Sequence, residues 1–526
     1  MLLVAYSCLS MTLDEIPHRN ALRFPSKAAF VMGAIRRTWL ETDQRVSRLA
    51  NAMVQQGVQS GDRVAVLLPN CPEYFEVYFA CARAGVIAVP LNYRLTGKEL
   101  AQIVSHAEPA LFLVDAEYLS QVKVLQVLIP ALCPVWVLGE NAPEGMGSLE
   151  AKIQSAPDIY KGVAARDTDP CAIFYTSGTT GLPKGAMVSH VNLEQNGYNQ
   201  MLADASRRDD INLVSTPIYH VGAVFMAVTY MMLGCTQVIL PRFEPGLWLQ
   251  ILTQSRATVA LLIPTMINSV LHHPDCDSAD LSMLRLIFYG GGPMPPAVLE
   301  RAMGRLQCAF TQGYGLTETL EATFLTADDH ILGGSPQQQK RLASAGREAV
   351  GAEVRIVNDA GMDLPVNEVG EILVRSRSVI AGYWKMPEET VRTIRDAWFH
   401  TGDLGYLDEA RYLFLVDRKK DMVVSGGVNI YTKEIEAVLY EHPAVMEAAI
   451  IGLPDDEWGE AVTAVIAKKP GQDVSSEQII DHCRASLASY KKPRRVFFLP
   501  ELPKNPSGKI LKRDLRTQLA QSGKSP

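Results

Sequence analysis

What this chain of 526 residues lacks first is paired cysteine: its nine cysteines are scattered, with no CxxC spacing. That excludes a disulfide framework and a thiolate metal cluster, and it points to reduced thiols in a cytoplasm. A basic excess is missing too. The net charge of −7 and pI near 5.9 give no general attraction to nucleic acid. There are no internal repeats and no low-complexity tracts. His272 and His273 stand in a loop-like stretch without partners and read as solvated. Membrane-length apolar runs are also scarce. MLLVAYSCLS at the start is too short to span and has no basic leader, and translation from Met11 fits the point where amphipathic patterning begins. Residues 221–240 approach spanning length, but Gly234 and Cys235-Thr236-Gln237 break them into a helix, a turn and a short strand ending at Pro241. A helix apolar all round is a buried one.

What is present is a globular composition, 48% hydrophobic and 20% charged with a mean hydropathy of +0.04. The first 400 residues alternate strand and helix patterns. Val46, Leu49, Ala50, Met53 and Val54 recur at helical spacing, with Asp43 placed to cap and Gly57 to terminate. RVAVLLP, VIAVP and ALFLVD read as buried strands, with helices over 73–83 and 99–106 between them. The pattern predicts a wound α/β sheet with helices on both faces and ligands at the carboxyl ends of its strands. A second unit follows the charged run DRKKD at 417–421. KEIEAVLYEHP, AAIIGLP, AVTAVIAKK, a helix over 477–487, RRVFFLP and a helix over 509–519 give a smaller, mobile α+β domain. The division expected is residues 1–418 and 419–526.

The richest local signal is TSGTTGLPKG, residues 176–185. Thr176, Ser177, Thr179 and Thr180 supply hydroxyls, and Gly178 and Gly181 let backbone N–H groups turn inward as an anion-binding nest. Lys184 adds a point charge to the same rim, a chemistry suited to polyphosphate. It is not a Walker A loop: Gly178 and Gly181 are too close, and Lys184 precedes Gly185 instead of Ser or Thr. Taken alone, the segment also reads as an ordinary Gly/Thr surface turn.

Further segments decide between the two. GYGLTE (313–318), HTGDLG (400–405), LVDRKKDMVVSGGVNIYTKEIE (415–436) and PKNPSGKILK (503–512) follow in order. With YTSGTTGLPKG they resemble the signature motifs of the acyl-adenylate-forming, AMP-binding superfamily: acyl-CoA synthetases, coumarate-CoA ligases, luciferases and nonribosomal adenylation domains. The resemblance runs from about residue 12 to 518 and looks most like a bacterial fatty acyl-CoA synthetase. It implies a large N-terminal domain binding ATP and acid, and a small domain turning about a hinge at Lys420.

By the same resemblance, Thr176, Glu318 and Lys509 form the catalytic set, Glu318 binding Mg²⁺ and Lys509 reaching the α-phosphate and carboxylate. Tyr314 stacks on adenine, Gly291, Gly292 and Gly313 let backbone approach the ring, and Thr317 bonds the α-phosphate. Asp403 takes the ribose hydroxyls, and Arg418 the ribose or phosphate. Gly426, Gly427 and Asn429 of SGGVN come to the site for coenzyme A, the glycines letting its pantetheine arm pass. His220, Val221, Val224 and Gly315 border the acid. His220 reads equally as a structural residue at a helix start. Thr432 stands where the family often has proline, and it can cap the next helix.

The implied reaction makes acyl-AMP and pyrophosphate, then an acyl-CoA thioester and AMP. No acid or base occurs in 221–233, so the expected substrate is a medium- or long-chain fatty acid, with an aromatic or alicyclic acid as competitor. Transfer to a carrier protein, luciferase-like oxidation, and a non-catalytic fatty-acid binding protein are the other readings. The basic stretch 484–516 suits coenzyme A phosphates, an anionic membrane surface in peripheral contact, or simply solvent, and the resemblance leaves room for a homodimer.

Overall fold

The computed structural model describes residues 11–139, 142–162, 165–176, 183–292, 294–455, 457–504 and 510–521. The chain forms two compact units. One runs to Val354 and includes Val374–Phe399; the other comprises Arg355–Leu373 and the chain from His400 onward. The boundary expected at 418/419 lies inside the second unit.

The first unit holds two mostly parallel sheets. Short, largely apolar runs become their central strands because both faces are covered. One sheet has the order Gly147–Ser148, Val135–Leu138, Leu111–Asp115, Arg63–Leu67, Ile87–Pro90, Pro170–Thr176, Lys184–Ser189, antiparallel only at its last pair. The other begins Arg347–Glu348, Leu320–Leu325, Ala309–Leu316, Leu286–Tyr289, Val259–Leu262. It continues Ile211–Val214, Thr236–Ile239, Ala28–Met32, Ile35–Thr38. Phe30, stacked on Phe75 at 5.5 Å, and Phe225, edge-on to Phe288 at 6.2 Å, belong to one apolar core. Each such buried ring contributes about 1.5–3 kcal/mol over an exposed one.

Residues 221–240 divide as their breakers dictate. The helix Val221–Met232 and the strand Thr236–Ile239 are joined through Gly234 at φ +79°. Among the described residues no helix is long and apolar enough to cross a membrane. The helix Trp39–Gln55 starts earlier than its periodicity suggested. Thr38 caps it in a reciprocal capping box with Glu41, and Asp43, the expected cap, lies within it and pairs with Arg83 at 2.6 Å. The extended backbone of Thr38 already aims its hydroxyl at the first turn, so no later cap is needed. The two histidines have local partners. His272 Nδ1 donates to Asn268 O at 2.7 Å, and His273 Nδ1 accepts from Asp275 N–H at 3.3 Å, because each flanks a helical turn with orphan backbone groups. The eight described cysteines are free thiols.

In the second unit the strands Val428–Ile430, Val423–Ser425, Gly459–Lys468 and Val445–Asp455 lie in that order, and Arg495–Phe498 runs parallel to Gly459–Lys468. Helices Thr432–Glu441, Ser476–Ser486 and Lys512–Gln521 accompany them. Thr432 is not the cap: Tyr431 occupies that position, and the Thr432 hydroxyl accepts from Lys512 Nζ at 2.6 Å. Buried as it is, that hydroxyl serves a lysine already paired with Glu436 at 2.7 Å.

Candidate active site

Thr176 closes the strand Pro170–Thr176 and is register-paired with Lys184. Ser177, Gly178, Thr179, Thr180 and Gly181 lie outside the described residues. Lys184 is only 9% exposed, and its ammonium pairs with Glu389, 5.5 Å from the centre of the Tyr383 ring. Its charge is therefore balanced within the protein and does not stand open at the loop rim as the sequence pattern suggested. Burial forces that pairing, since an isolated ammonium there would be costly.

Gly291 and Gly292 follow the strand Leu286–Tyr289 at its carboxyl end. The next strand, Ala309–Leu316, carries Gly313, Tyr314 and Gly315 and returns through Thr317 and Glu318 into Leu320–Leu325. Tyr314 is buried, and the hairpin register shifts between Tyr314 and Gly315. Any side chain on Gly315 would run into the Leu320 carbonyl, so the tight return demands glycine there.

Glu318 is held from both ends. Its backbone carbonyl accepts from Ile380 N–H at 2.9 Å, and its Oε1 accepts from the Tyr383 hydroxyl at 2.9 Å. Burial, with the Glu318 carboxylate alongside, pushes the Tyr383 hydroxyl pKa well up, so it stays a donor. Tyr383 arrives because its segment lies along the strand Lys184–Ser189, with Trp384 N–H donating to Gly185 O at 2.8 Å. Sequence reasoning did not select Tyr383 or Glu389; both stand some 65 to 205 residues from their partners and carry no local motif. One half-buried, oriented carboxylate fits Mg²⁺, which takes one or two protein carboxylates and fills its sphere with phosphate and water.

His220 precedes the helix Val221–Met232 as its N-cap residue but caps nothing with its side chain. Its ring lies 4.5 Å from that of Tyr219, and its Nε2 is buried without a hydrogen-bond partner. Burial, reinforced by Arg94, holds its pKa down to about 4, so the ring is neutral at pH 7. Val221 is half-buried and Val224 fully so, in the main core. The strand Leu320–Leu325 adds a feature that residues 221–233 by themselves do not contain: the carboxyl of Glu321, which shares the Gly313 side of the hairpin with Phe288.

In the second unit Asp403 and Arg418 face each other across an antiparallel pair, with Arg418 Nε 3.0 Å from Asp403 Oδ1. The two residues expected at the nucleotide thus orient one another. Lys420 is exposed just past the strand Leu413–Arg418. Gly426 (φ +59°) and Gly427 (φ +78°) form the two-residue turn between Val423–Ser425 and Val428–Ile430, the left-handed pair a tight hairpin requires. Asn429 is exposed opposite Val424. Lys509 lies outside the described residues.

Two parallel-sheet layers with glycine-rich strand ends and an oriented carboxylate define an α/β enzyme class that binds at strand termini. The AMP-binding enzyme model matches residues 17–384, and the AMP-binding enzyme C-terminal domain matches residues 434–509. The chain belongs to the AMP-binding enzyme family. It is 37% identical over 505 residues to a feruloyl-CoA synthase of an Amycolatopsis species, covering 96% of this chain and 98% of that protein. It is 32% identical over 487 residues to the long-chain-fatty-acid–CoA ligase FadD13 of Mycobacterium tuberculosis, covering 92% and 93%. The crystal structure of ATP-bound MatB from Rhodopseudomonas palustris superimposes with a TM-score of 0.87 at 32% identity, covering 98% of this chain and 100% of that one.

Proposed function

We propose that this chain is an AMP-forming acid–CoA ligase acting on an aromatic carboxylic acid. The observation carrying the chemistry is the Glu318 carboxylate held by Tyr383 at the GYGLTE hairpin, in a chain matched nearly end to end by acid–CoA ligases. In this reading the acid's carboxylate oxygen attacks the α-phosphorus of ATP, and the bond to the pyrophosphate oxygen breaks. The thiol sulfur of coenzyme A then attacks the acyl carbonyl, AMP departs with the acyl oxygen, and the thiol proton passes to solvent. Glu318 would hold Mg²⁺, which when bound supplies positive charge to the phosphate oxygens. The protein's own share is alignment and electrostatics.

Tyr314 packs beside the base, Thr176 and Thr317 donate to phosphate, and Arg418 orients Asp403 toward the ribose. Neutral His220 borders the reacting carboxylate without adding a charge that would compete for it. The roles of Lys509 at the α-phosphate, of Lys420 as hinge, and of Gly426, Gly427 and Asn429 toward coenzyme A belong to the same proposal, as does the division at 418/419.

The aromatic reading draws support from the Phe225–Phe288 pair, the first ring on the helix Val221–Met232, and from the feruloyl-CoA synthase relative. A medium- or long-chain fatty acid is the second reading, favoured by the uncharged helix Val221–Met232 and by the FadD13 relative. Pyrophosphate release with Mg·ATP, measured across cinnamic, benzoic and alkanoic acids with and without coenzyme A, tests both. Ring acids winning with coenzyme A required supports the proposal, and turnover rising with alkyl length replaces the substrate. Turnover only with a carrier protein changes the acceptor. No pyrophosphate with any acid overturns the function.

A further inference from the structure

Glu321 is a buried carboxyl that the reaction above leaves unused. It is 8% exposed, and its Oε2 has no hydrogen-bond partner. Its position is defined by the hairpin: Glu321 opposes Gly315 in the register, and its backbone N–H donates to Asn196 Oδ1 at 2.9 Å. A methyl group on Gly313 would stand 2.5 Å from Glu321 Oε2 and 2.5 Å from Phe288 Cζ. The carboxyl therefore occupies the space glycine leaves open, beside a phenyl ring. Phe288 in turn meets Phe225, on the helix that begins at Val221. A polar group is thus set beside the aromatic pair that ends on the helix assigned to the acid.

An unsatisfied polar oxygen in such a wall is retained at a cost, and a ligand that satisfies it recovers that cost on binding. Burial, with Asp204 as the second carboxyl nearby, pushes the Glu321 pKa up to about 8, so the group is mostly an uncharged acid at pH 7. A neutral carboxyl can accept from, and donate to, a hydroxyl or amine without demanding a counter-ion. An alkyl chain or bare ring against it would leave Oε2 unpaired.

We propose that Glu321 is a specificity-determining residue that takes a hydrogen bond from a hydroxyl or amino substituent carried by the aromatic acid. The proposal rests on the aromatic-acid reading given above and adds what that acid must carry. Within the same packing, Asn196 Nδ2 and Gln200 Oε1 are also buried without partners, so the rival is an internal polar network that never meets substrate.

The test compares kcat/KM for acyl-CoA formation on matched acids, cinnamate against 4-hydroxycinnamate and 4-aminocinnamate, using the full-length enzyme. The parent should favour a substituted acid by about tenfold or more, because a site built for a hydrogen bond rejects the analogue lacking it. Glu321→Leu should bring the ratio to within about threefold by losing activity on the substituted acid alone. Glu321→Gln, which keeps an acceptor oxygen and the same shape, should retain the preference and serves if the leucine variant fails to fold. A parent ratio near one, or an unchanged ratio in Glu321→Leu, overturns the proposal and leaves the aromatic-acid reading standing. Failure of all cinnamates while alkanoates react removes the reading beneath it as well.

Discussion

Replacing Tyr383 by phenylalanine deletes one hydroxyl and nothing else. The ring keeps its packing, Tyr383 N–H still donates to Thr390 Oγ1 at 2.9 Å, and Ile380 still holds the Glu318 carbonyl. What disappears is the 2.9 Å hydrogen bond to Glu318 Oε1. A hydrogen bond to a charged group contributes about 1.5–3 kcal/mol. Glu318 is half-buried, so water recovers part of that, and the lower end, about 1.5 kcal/mol, is the appropriate figure. At about 1.4 kcal/mol per decade this is roughly tenfold, within the range found when a group orienting a metal ligand is removed. Pyrophosphate release titrated against free Mg²⁺, at saturating ATP and acid, should therefore show half-saturation raised about tenfold. The melting temperature should move by no more than about 4 °C. Superimposable Mg²⁺ curves for parent and Tyr383→Phe would refute the idea that this hydroxyl orients a metal ligand.

Two further outcomes are expected. Gly427→Leu places a branched residue at φ +78° in an exposed turn, where nothing stands within 4 Å of the new side chain. The backbone strain is about 1–2 kcal/mol. Pyrophosphate release should stay within about twofold while thioester formation falls by about tenfold or more; equal loss of both half-reactions would show that the turn serves only the fold. The second concerns pH. The ordinary carboxyl value for Glu321 is 4.5 and the folded value about 8. Between them the unfolded chain releases a proton that the folded chain keeps, so this group's contribution to stability is full below about 4.5 and lost as pH rises through about 8. Glu321→Gln should raise the melting temperature more at about pH 8.5 than at about pH 5, as followed by calorimetry; a constant difference would mean Glu321 titrates normally. Asp204, raised to about 7 by burial, adds a slope of its own near neutral pH.

Local pattern determined a good deal of this protein. Apolar runs such as LFLVD and IAVP could only be covered strands, and Gly234 and Gly57 punctuate where the chain turns. The ordered motifs placed the chain in its family, because glycine, hydroxyl and carboxylate spacing is dictated by how closely a backbone must return on itself. Gly315 shows this plainly, since the hairpin closes onto the Leu320 carbonyl. Helix starts were less legible: Thr38 and Tyr431 displaced Asp43 and Thr432, because a cap depends on the extended backbone before the helix and not on the apolar period within it. Partners were not legible at all. Lys184 reads from its neighbours along the chain as a phosphate-facing cation, and its pairing with Glu389, 205 positions away, leaves no local trace. The helix Val221–Met232 carries no charge, yet a strand about a hundred residues later sets Glu321 beside Phe288, whose ring meets Phe225 of that helix. Sequence determines what a segment can do with its neighbours along the chain. Which charges and orphan oxygens meet across sheets is decided by packing, because burial makes every unpaired polar atom find, or wait for, a partner that the chain order does not name.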